Sequence, residues 1–143
     1  LEQDGIWLLG LAAGGCAYSI DAANVPVALY ARDGLNLFRG AETLYVHVPA
    51  DAGACALEAR AVGGETSRVN VYAPDGARAA TGQTARGKQH AGIEFTPGDA
   101  AGQAWRLEVT RADEGTLEDN ILKVLPPLPP VVSLNPEQLF AAP

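Results

Sequence analysis

Acidic side chains form the densest group of potentially reactive residues in this chain. Asp113, Glu114, Glu118 and Asp119 follow one another closely around Gly115. Paired carboxylates carry out glycoside hydrolysis, and clustered carboxylate oxygens are the ligands that Ca²⁺ prefers. Acids around a glycine-containing turn are most often a solvated hairpin tip, and the EF-hand pattern is absent. We therefore predict no metal site, and rank these acids as a calcium candidate behind a solvated turn and ahead of a catalytic pair.

The other residue types that carry out catalysis are isolated. The two histidines, His47 and His90, occur in no HxH or HExxH spacing, so a zinc site is not predicted. The serines have no GxSxG setting, and neither Cys16 nor Cys55 has an adjacent base. The sequence therefore predicts no catalytic residue, no cofactor and no enzyme. It leaves open whether the two cysteines form a disulfide or remain two buried thiols.

Aromatic side chains suggest a binding surface instead. Tyr45 and Tyr72 alternate with aliphatic neighbours in two predicted strands, so both are expected to be partly exposed. Exposed rings on a sheet can stack on sugar rings, while Asn70, Glu58 or Arg60 hydrogen bonds to hydroxyl groups. The alternative is a tyrosine that merely covers the core with its hydroxyl in water. The candidate ligand-binding residues are Tyr45, Tyr72 and Asn70.

Strand signals separated by turn residues recur along the chain at the spacing typical of sandwiches and barrels. Strands are predicted at residues 5–9, 16–20, 25–30, 35–38, 44–48, 55–61, 68–72, 90–95, 105–110 and 120–125, with a short strand or a loop at 77–89. Apolar residues show no helical spacing except for a possible turn at 136–140. Trp7, Phe95 and Trp105 share the parity of aliphatic neighbours and are predicted to lie in the core. We predict an all-β, jelly-roll-like β-sandwich of about 9–11 short strands.

Length and composition favour one domain. The chain has 143 residues, of which residues 1–125 are predicted to form the sandwich. Residues 126–143 begin with Pro-Pro-Leu-Pro-Pro and are predicted to be a proline-rich strap or linker. If this segment is a strap, Leu128, Val131, Leu134 and Phe140 are the residues expected to dock on the domain.

The charge balance bears on the choice of partners. The net charge is −7, and the basic residues are scattered among acids. Nucleic acid normally requires a clustered basic face, so neither nucleic acid nor an anionic membrane surface is a predicted partner. The longest apolar run, residues 6–13, is far shorter than the ~20 residues of a membrane-spanning helix. Because the chain lacks a starting Met and a basic n-region, we expect a fragment of a larger protein.

Three segments, in this order, resemble the bacterial pre-peptidase C-terminal domains. They are residues 44–50 (Leu-Tyr-Val-His-Val-Pro-Ala), 69–76 (Val-Asn-Val-Tyr-Ala-Pro-Asp-Gly) and 105–109 (Trp-Arg-Leu-Glu-Val). The pattern is also similar to β-sandwich modules appended to bacterial polysaccharide-degrading and other secreted enzymes. The resemblance implies a jelly-roll accessory domain, without catalytic residues, of a secreted or cell-surface bacterial protein.

Two functions follow as expectations. The first is a non-catalytic accessory module that binds a glycan or packs against a neighbouring domain of its parent protein. The alternative is a structural interdomain or protein–protein interaction domain with no small ligand. An exposed aromatic patch on one sheet face would favour sugar binding, whereas a flat Ala/Val-rich patch would favour a protein interface.

Overall fold

A computed structural model describes residue 5, residues 7–10 and residues 25–139, and these residues form ten β-strands. The strands are β1 (Leu29–Tyr30), β2 (Leu35–Phe38), β3 (Ala41–His47), β4 (Cys55–Ala61), β5 (Arg68–Tyr72), β6 (Arg78–Gln83), β7 (His90–Phe95), β8 (Ala104–Thr110), β9 (Asp119–Val124) and β10 (Val131–Val132). Short 3-10 turns occur at Gly98–Ala100 and Pro136–Gln138. None of these segments forms a helix long and apolar enough to cross a membrane.

Two four-stranded antiparallel sheets make up most of the domain. Sheet I has the strand order β2-β9-β4-β7, and sheet II has the order β3-β8-β5-β6. Buried residues of both sheets belong to one hydrophobic core. The predicted all-β sandwich is therefore confirmed. The jelly-roll connectivity stays a prediction. Two sheets of four strands each are consistent with it.

Strict alternation along the strands builds the core. In β4 the buried side chains are Cys55, Leu57, Ala59 and Ala61, with more exposed residues between them. In β8 they are Trp105, Leu107 and Val109, as the sequence predicts. Because successive side chains of a strand point to opposite faces, these residues fill the space between the sheets and leave a polar outer face.

The core contains one of the two tryptophans and excludes the other. Trp105 is 1% exposed, its ring centroid lies 5.0 Å from that of Phe95, and its Nε1 donates to the carbonyl oxygen of Ala100 at 3.0 Å. Trp7 is 57% exposed, so its prediction as a core residue is wrong. Residues 7–10 pair with no described strand, and parity alone cannot bury a segment that has no neighbouring strand.

The predicted strand at residues 25–30 is shorter than expected. Only Leu29–Tyr30 pairs with another strand. Pro26 has no backbone N–H to donate, which is consistent with a late start of the ladder. The predicted strand at residues 16–20, including Cys16, lies outside the described residues, so the pairing of Cys16 with Cys55 stays open.

The residues that follow the proline run form β-type backbone hydrogen bonds with two other strands. β10 pairs with β1, and Ser133 exchanges two backbone hydrogen bonds with Tyr45 of β3, at 2.7 and 2.9 Å. Leu128 and Val132 belong to the core, whereas Leu134 is 69% exposed and Phe140 lies outside the described residues. β1 and β10 thus form a separate two-stranded sheet, which a single bridge at Ser133 ties to the outer edge of β3.

The region at residues 77–89, predicted as a strand or a loop, contains β6 at the edge of sheet II. Gly82 of β6 lies close to β7: a Cβ atom at this position would be 2.7 Å from Cγ1 of Ile93. The two sheets therefore approach each other closely at this corner, and no larger residue than glycine fits there without a shift of Ile93.

Candidate functional site

Four residues of sheet II form a row that crosses all four of its strands. Tyr45 of β3 lies opposite Arg106 of β8, Arg106 lies opposite Tyr72 of β5, and Tyr72 lies opposite Arg78 of β6. Residues directly opposite one another in a ladder share a face of the sheet, and this is the outer face. With neighbouring strands ~4.8 Å apart, the row spans about 14 Å. We call these four residues the Tyr–Arg row.

The centre of the Tyr–Arg row is a stacked pair. The Arg106 guanidinium carbon lies 3.8 Å from the centroid of the Tyr72 ring, well inside the range of a cation–π contact. The side chain of Arg106 is 33% exposed. Its nearest carboxylate contact is an ion pair of 3.9 Å with Glu108, which is longer than a hydrogen bond. Within the described part of the chain, no residue accepts a hydrogen bond from this guanidinium.

A second row lies beside the first and holds it in place. Oε2 of Glu108 accepts hydrogen bonds from the Tyr72 hydroxyl at 2.9 Å and from Nδ2 of Asn70 at 3.0 Å. Oδ1 of Asn70 in turn accepts from the Thr81 hydroxyl at 2.8 Å. Since the tyrosine is tied at its hydroxyl and stacked against Arg106, its orientation is fixed by the protein.

The structure brings the predicted residues Tyr45, Tyr72 and Asn70 to the same face. Both tyrosines are half-buried, in agreement with their parity. Asn70 is only 6% exposed and both ends of its amide are bound within the protein, so it positions other side chains. Glu58 and Arg60 lie on β4 of sheet I, so the expectation that they assist at the tyrosines is wrong.

A third row, formed by Arg68 of β5 and Gln83 of β6, lines an open depression of about 380 Å³ together with Asp113. Arg68 donates to Oε1 of Gln83 from Nη2 at 2.6 Å and from Nε at 3.1 Å, and it pairs with Asp113. Gln83 also donates to Asp113 at 2.8 Å. The guanidinium of Arg68 is therefore engaged by protein groups, unlike that of Arg106.

These contacts alter the acidity of Asp113. Hydrogen bonds from Arg68 and then Gln83, together with the positive charge of Arg68, lower the pKa of the Asp113 carboxyl below its ordinary value. A lowered folded-state pKa means that the pair stabilises the fold above the ordinary Asp range, and that this contribution is lost as pH falls through the lowered value. The carboxylate is exposed, so the effect on stability is small.

Substitution of Arg68 by alanine is expected to raise the pKa of Asp113 towards its ordinary value. Gln83→Ala should raise it less, because it removes one hydrogen bond and no charge. A carboxyl carbon NMR titration of the three proteins measures these shifts directly. An Asp113 pKa that is the same in the parent and in Arg68→Ala would contradict this assignment.

The acids around Gly115 do not converge on one point. Asp113 pairs with Arg68, a carboxylate oxygen of Glu114 accepts from the Arg86 backbone at 3.4 Å, and the amide of Asp119 donates to Glu65. Glu118 contributes its main-chain oxygen, which accepts from the backbone N–H of Arg39 at 2.7 Å. Among the described residues, no three His, Cys, Asp or Glu side chains are grouped as a metal site requires. This geometry lends the calcium candidate no support.

The remaining residues considered for catalysis lie apart from the Tyr–Arg row. His90 opens β7 on sheet I, with Nδ1 3.4 Å from Oε1 of Glu58, and His47 ends β3 half-buried. Cys55 is buried at the start of β4 and forms no disulfide with a described residue; in the thiol form, its burial raises the pKa. A thiol in this environment stays protonated at neutral pH.

Comparisons with known proteins return no relative. The chain matches no family model, no curated protein and no solved structure. The resemblance to pre-peptidase C-terminal domains therefore stays a prediction.

Sequence reasoning missed the two arginines of the Tyr–Arg row. It counted Arg106 and Arg78 among the basic residues that are scattered among acids. The available signal was parity: Arg106 alternates with the buried Trp105 and Leu107, as Tyr72 alternates with Val71. Parity assigns the face of each strand separately, so it could not show that these residues meet.

Proposed function

We propose that this domain is a non-catalytic accessory module of a larger secreted bacterial protein, and that it binds a glycan on the outer face of sheet II. The observation that supports the proposal is the Tyr–Arg row, in which two half-buried tyrosines and two arginines share one register across four strands. An exposed aromatic patch was the feature expected for sugar binding, and these two tyrosines are partly exposed on one face.

The chemistry of the row suits a sugar chain that lies across the strands. Tyrosine offers an apolar ring surface for the C–H face of a sugar and a polar hydroxyl at its edge. The Arg106 guanidinium offers N–H donors in a planar fork. Tyr45 and Tyr72 lie on either side of Arg106, two strand spacings apart, which is about 10 Å. Adjacent sugar units can therefore meet the Tyr45 ring and then the stacked Arg106–Tyr72 pair in turn.

Rigidity of the face favours binding. The hydrogen bonds of Glu108 with Tyr72 and Asn70, and of Asn70 with Thr81, fix side chains that would otherwise lose conformational freedom when a ligand binds. Ordering a mobile side chain costs about 0.5–1.5 kcal/mol on association, and a preordered face avoids part of this cost.

The test is a glycan array and an insoluble-polysaccharide pull-down with the parent domain, Arg106→Ala and Tyr45→Ala. We expect Arg106→Ala to weaken binding by about tenfold or more, because the loss of hydrogen bonds from a charged donor costs about 1.5–3 kcal/mol. Tyr45→Ala should weaken it by a smaller factor through the loss of ring contact. Far-UV circular dichroism verifies that each variant is folded.

Arg60→Ala is the matched control for this experiment. Arg60 is an exposed arginine on the outer side of sheet I, so its removal changes the net charge equally without touching the Tyr–Arg row. It should leave glycan binding unchanged. Binding by the parent domain that survives in folded Arg106→Ala and Tyr45→Ala would rule out this face as the site, and no binding to any glycan would overturn the proposal.

A second candidate function is packing against a neighbouring domain. Trp7, Leu8 and Leu9 are 57%, 75% and 71% exposed, and these residues belong to neither sheet. Large exposed apolar side chains in succession favour contact with another protein surface. This surface is separate in sequence from the Tyr–Arg row.

A further inference from the structure

The charges of the Tyr–Arg row have one sign. Both charged members, Arg106 and Arg78, are positive, and they flank Tyr72 from opposite sides. The nearest carboxylate is Glu108 in the adjacent row, at 3.9 Å from Arg106. Arg78 is exposed and makes no ion pair with any residue that the structure describes. The Tyr–Arg row and the row of Glu108 together thus hold two guanidinium groups and one carboxylate.

The three arginines of this face differ in how their donors are used. Arg68 is held by Gln83 and Asp113 through several short contacts. Arg106 stacks on Tyr72 and donates no hydrogen bond to the described protein. A guanidinium backed by an aromatic ring keeps its charge and its edge donors available, and its planar fork matches the two oxygens of a carboxylate or sulfate.

From this arrangement we infer that the ligand is an acidic glycan, whose carboxylate or sulfate groups pair with Arg106 and Arg78 while a sugar ring lies against Tyr45. The inference rests on the proposed function and specifies its substrate class. Arg106 and Arg78 are two strand spacings apart, about 10 Å, so one chain carrying repeated anionic groups reaches both.

The net charge of −7 does not oppose such a ligand at the face itself. At physiological ionic strength, charges separated by more than about 8 Å are largely screened from one another. The attraction is therefore decided by the groups within the row and next to it, where the row contributes two guanidinium groups, the adjacent row contributes Glu108, and Asp75 lies in the turn before β6.

The experiment compares acidic and neutral polysaccharides by isothermal calorimetry and affinity electrophoresis. The acidic arms are polygalacturonate, alginate and hyaluronate for carboxylate and dextran sulfate for sulfate; the neutral arms are galactan, mannan, cellulose and dextran. We expect binding to an acidic arm that weakens as salt is raised. We also expect Arg78→Ala to weaken it by roughly two- to fivefold, as for an exposed ion pair. Arg60→Ala is again the control of equal charge.

Glu108→Gln is expected to change the binding of an acidic glycan in the opposite direction to Arg78→Ala. A single oxygen of Glu108 accepts both the Tyr72 and the Asn70 hydrogen bonds, so the amide oxygen of glutamine can replace it. Loss of the negative charge should then strengthen binding of an acidic glycan by roughly two- to fivefold. Binding of a neutral glycan should not gain from this substitution.

The outcomes separate this inference from the proposed function. Binding to neutral arms alone, sensitive to Arg106→Ala, would overturn the acidic class and leave the glycan-binding face intact. Acidic binding that is indifferent to Arg78→Ala and Glu108→Gln would also overturn it. If single-stranded DNA binds equally well through the same residues, the face recognises polyanions in general, and the assignment to a glycan is overturned. Absence of binding to every arm would overturn both proposals.

Discussion

Replacement of Trp105 by alanine is expected to lower the free energy of unfolding by about 3–5 kcal/mol. The side chain is 1% exposed and contacts Phe95 at a ring-centroid distance of 5.0 Å, so its removal leaves a large cavity between the two sheets. It also removes the 3.0 Å hydrogen bond to the carbonyl oxygen of Ala100, the last residue of the short turn before β8. Urea unfolding followed by far-UV circular dichroism measures the loss.

Trp7→Ala is the matched control, because these are the two tryptophans of the chain. Trp7 is 57% exposed, and surface substitutions usually change stability by no more than about 0.5 kcal/mol. Acrylamide quenching of fluorescence distinguishes the two: we expect the accessible fraction to disappear in Trp7→Ala and to remain in Trp105→Ala. Similar losses of stability in both variants would contradict the placement of Trp105 alone in the core.

Gly115→Ala is expected to destabilise the fold by about 3 kcal/mol. Gly115 has φ +80°, a conformation that costs a residue with a Cβ about 1–2 kcal/mol. In addition, the new Cβ would lie 2.5 Å from Oγ1 of Thr66, a buried side chain that donates a hydrogen bond to the Glu114 carbonyl. Thr66 cannot move aside without breaking that bond, so overpacking adds about 1–3 kcal/mol.

The comparison with Gly76→Ala isolates the cost of the steric overlap with Thr66. Gly76 has φ +87°, but no atom lies within 4 Å of the position that an alanine methyl group would occupy, so its substitution carries only the cost of the backbone conformation. The double variant Gly115→Ala/Thr66→Ala should recover part of the loss relative to the sum of the single changes. Equal destabilisation at Gly115 and Gly76, by urea unfolding, would refute the steric part of the argument.

Much of the strand pattern could be predicted because alternation is a local property. The strands predicted at residues 35–38, 55–61, 68–72 and 90–95 have the same bounds as β2, β4, β5 and β7. Each of these runs carries apolar side chains at every second position and ends at turn residues, which is enough to place a half-buried strand. The same information failed at Trp7, where the pattern is present but no described strand pairs with it.

The candidate site could be predicted only in part, because it depends on contacts between strands distant in sequence. β8 lies between β3 and β5, although 32 positions separate Tyr72 from its first residue, Ala104. Parity therefore suggested Tyr45 and Tyr72 separately, but the residue between them, Arg106, comes from a later strand. The register that aligns Arg78 with Tyr72 also includes a local shift after Val71, which no periodicity in the sequence reveals.

The pairing of β10 with β1 and with Tyr45 has a consequence for the order of folding. It joins residues 29–30 to residues 131–132, about a hundred positions apart, and β3 likewise pairs with the distant β8. Contacts of such high sequence separation require large loops to close first, and chains dominated by them fold on the order of milliseconds to seconds. During synthesis, the outer edge of β3, which carries Tyr45 of the Tyr–Arg row, stays open until residues 131–133 have left the ribosome. A nascent chain therefore depends on its last described strand to cover an edge that would otherwise pair with other chains.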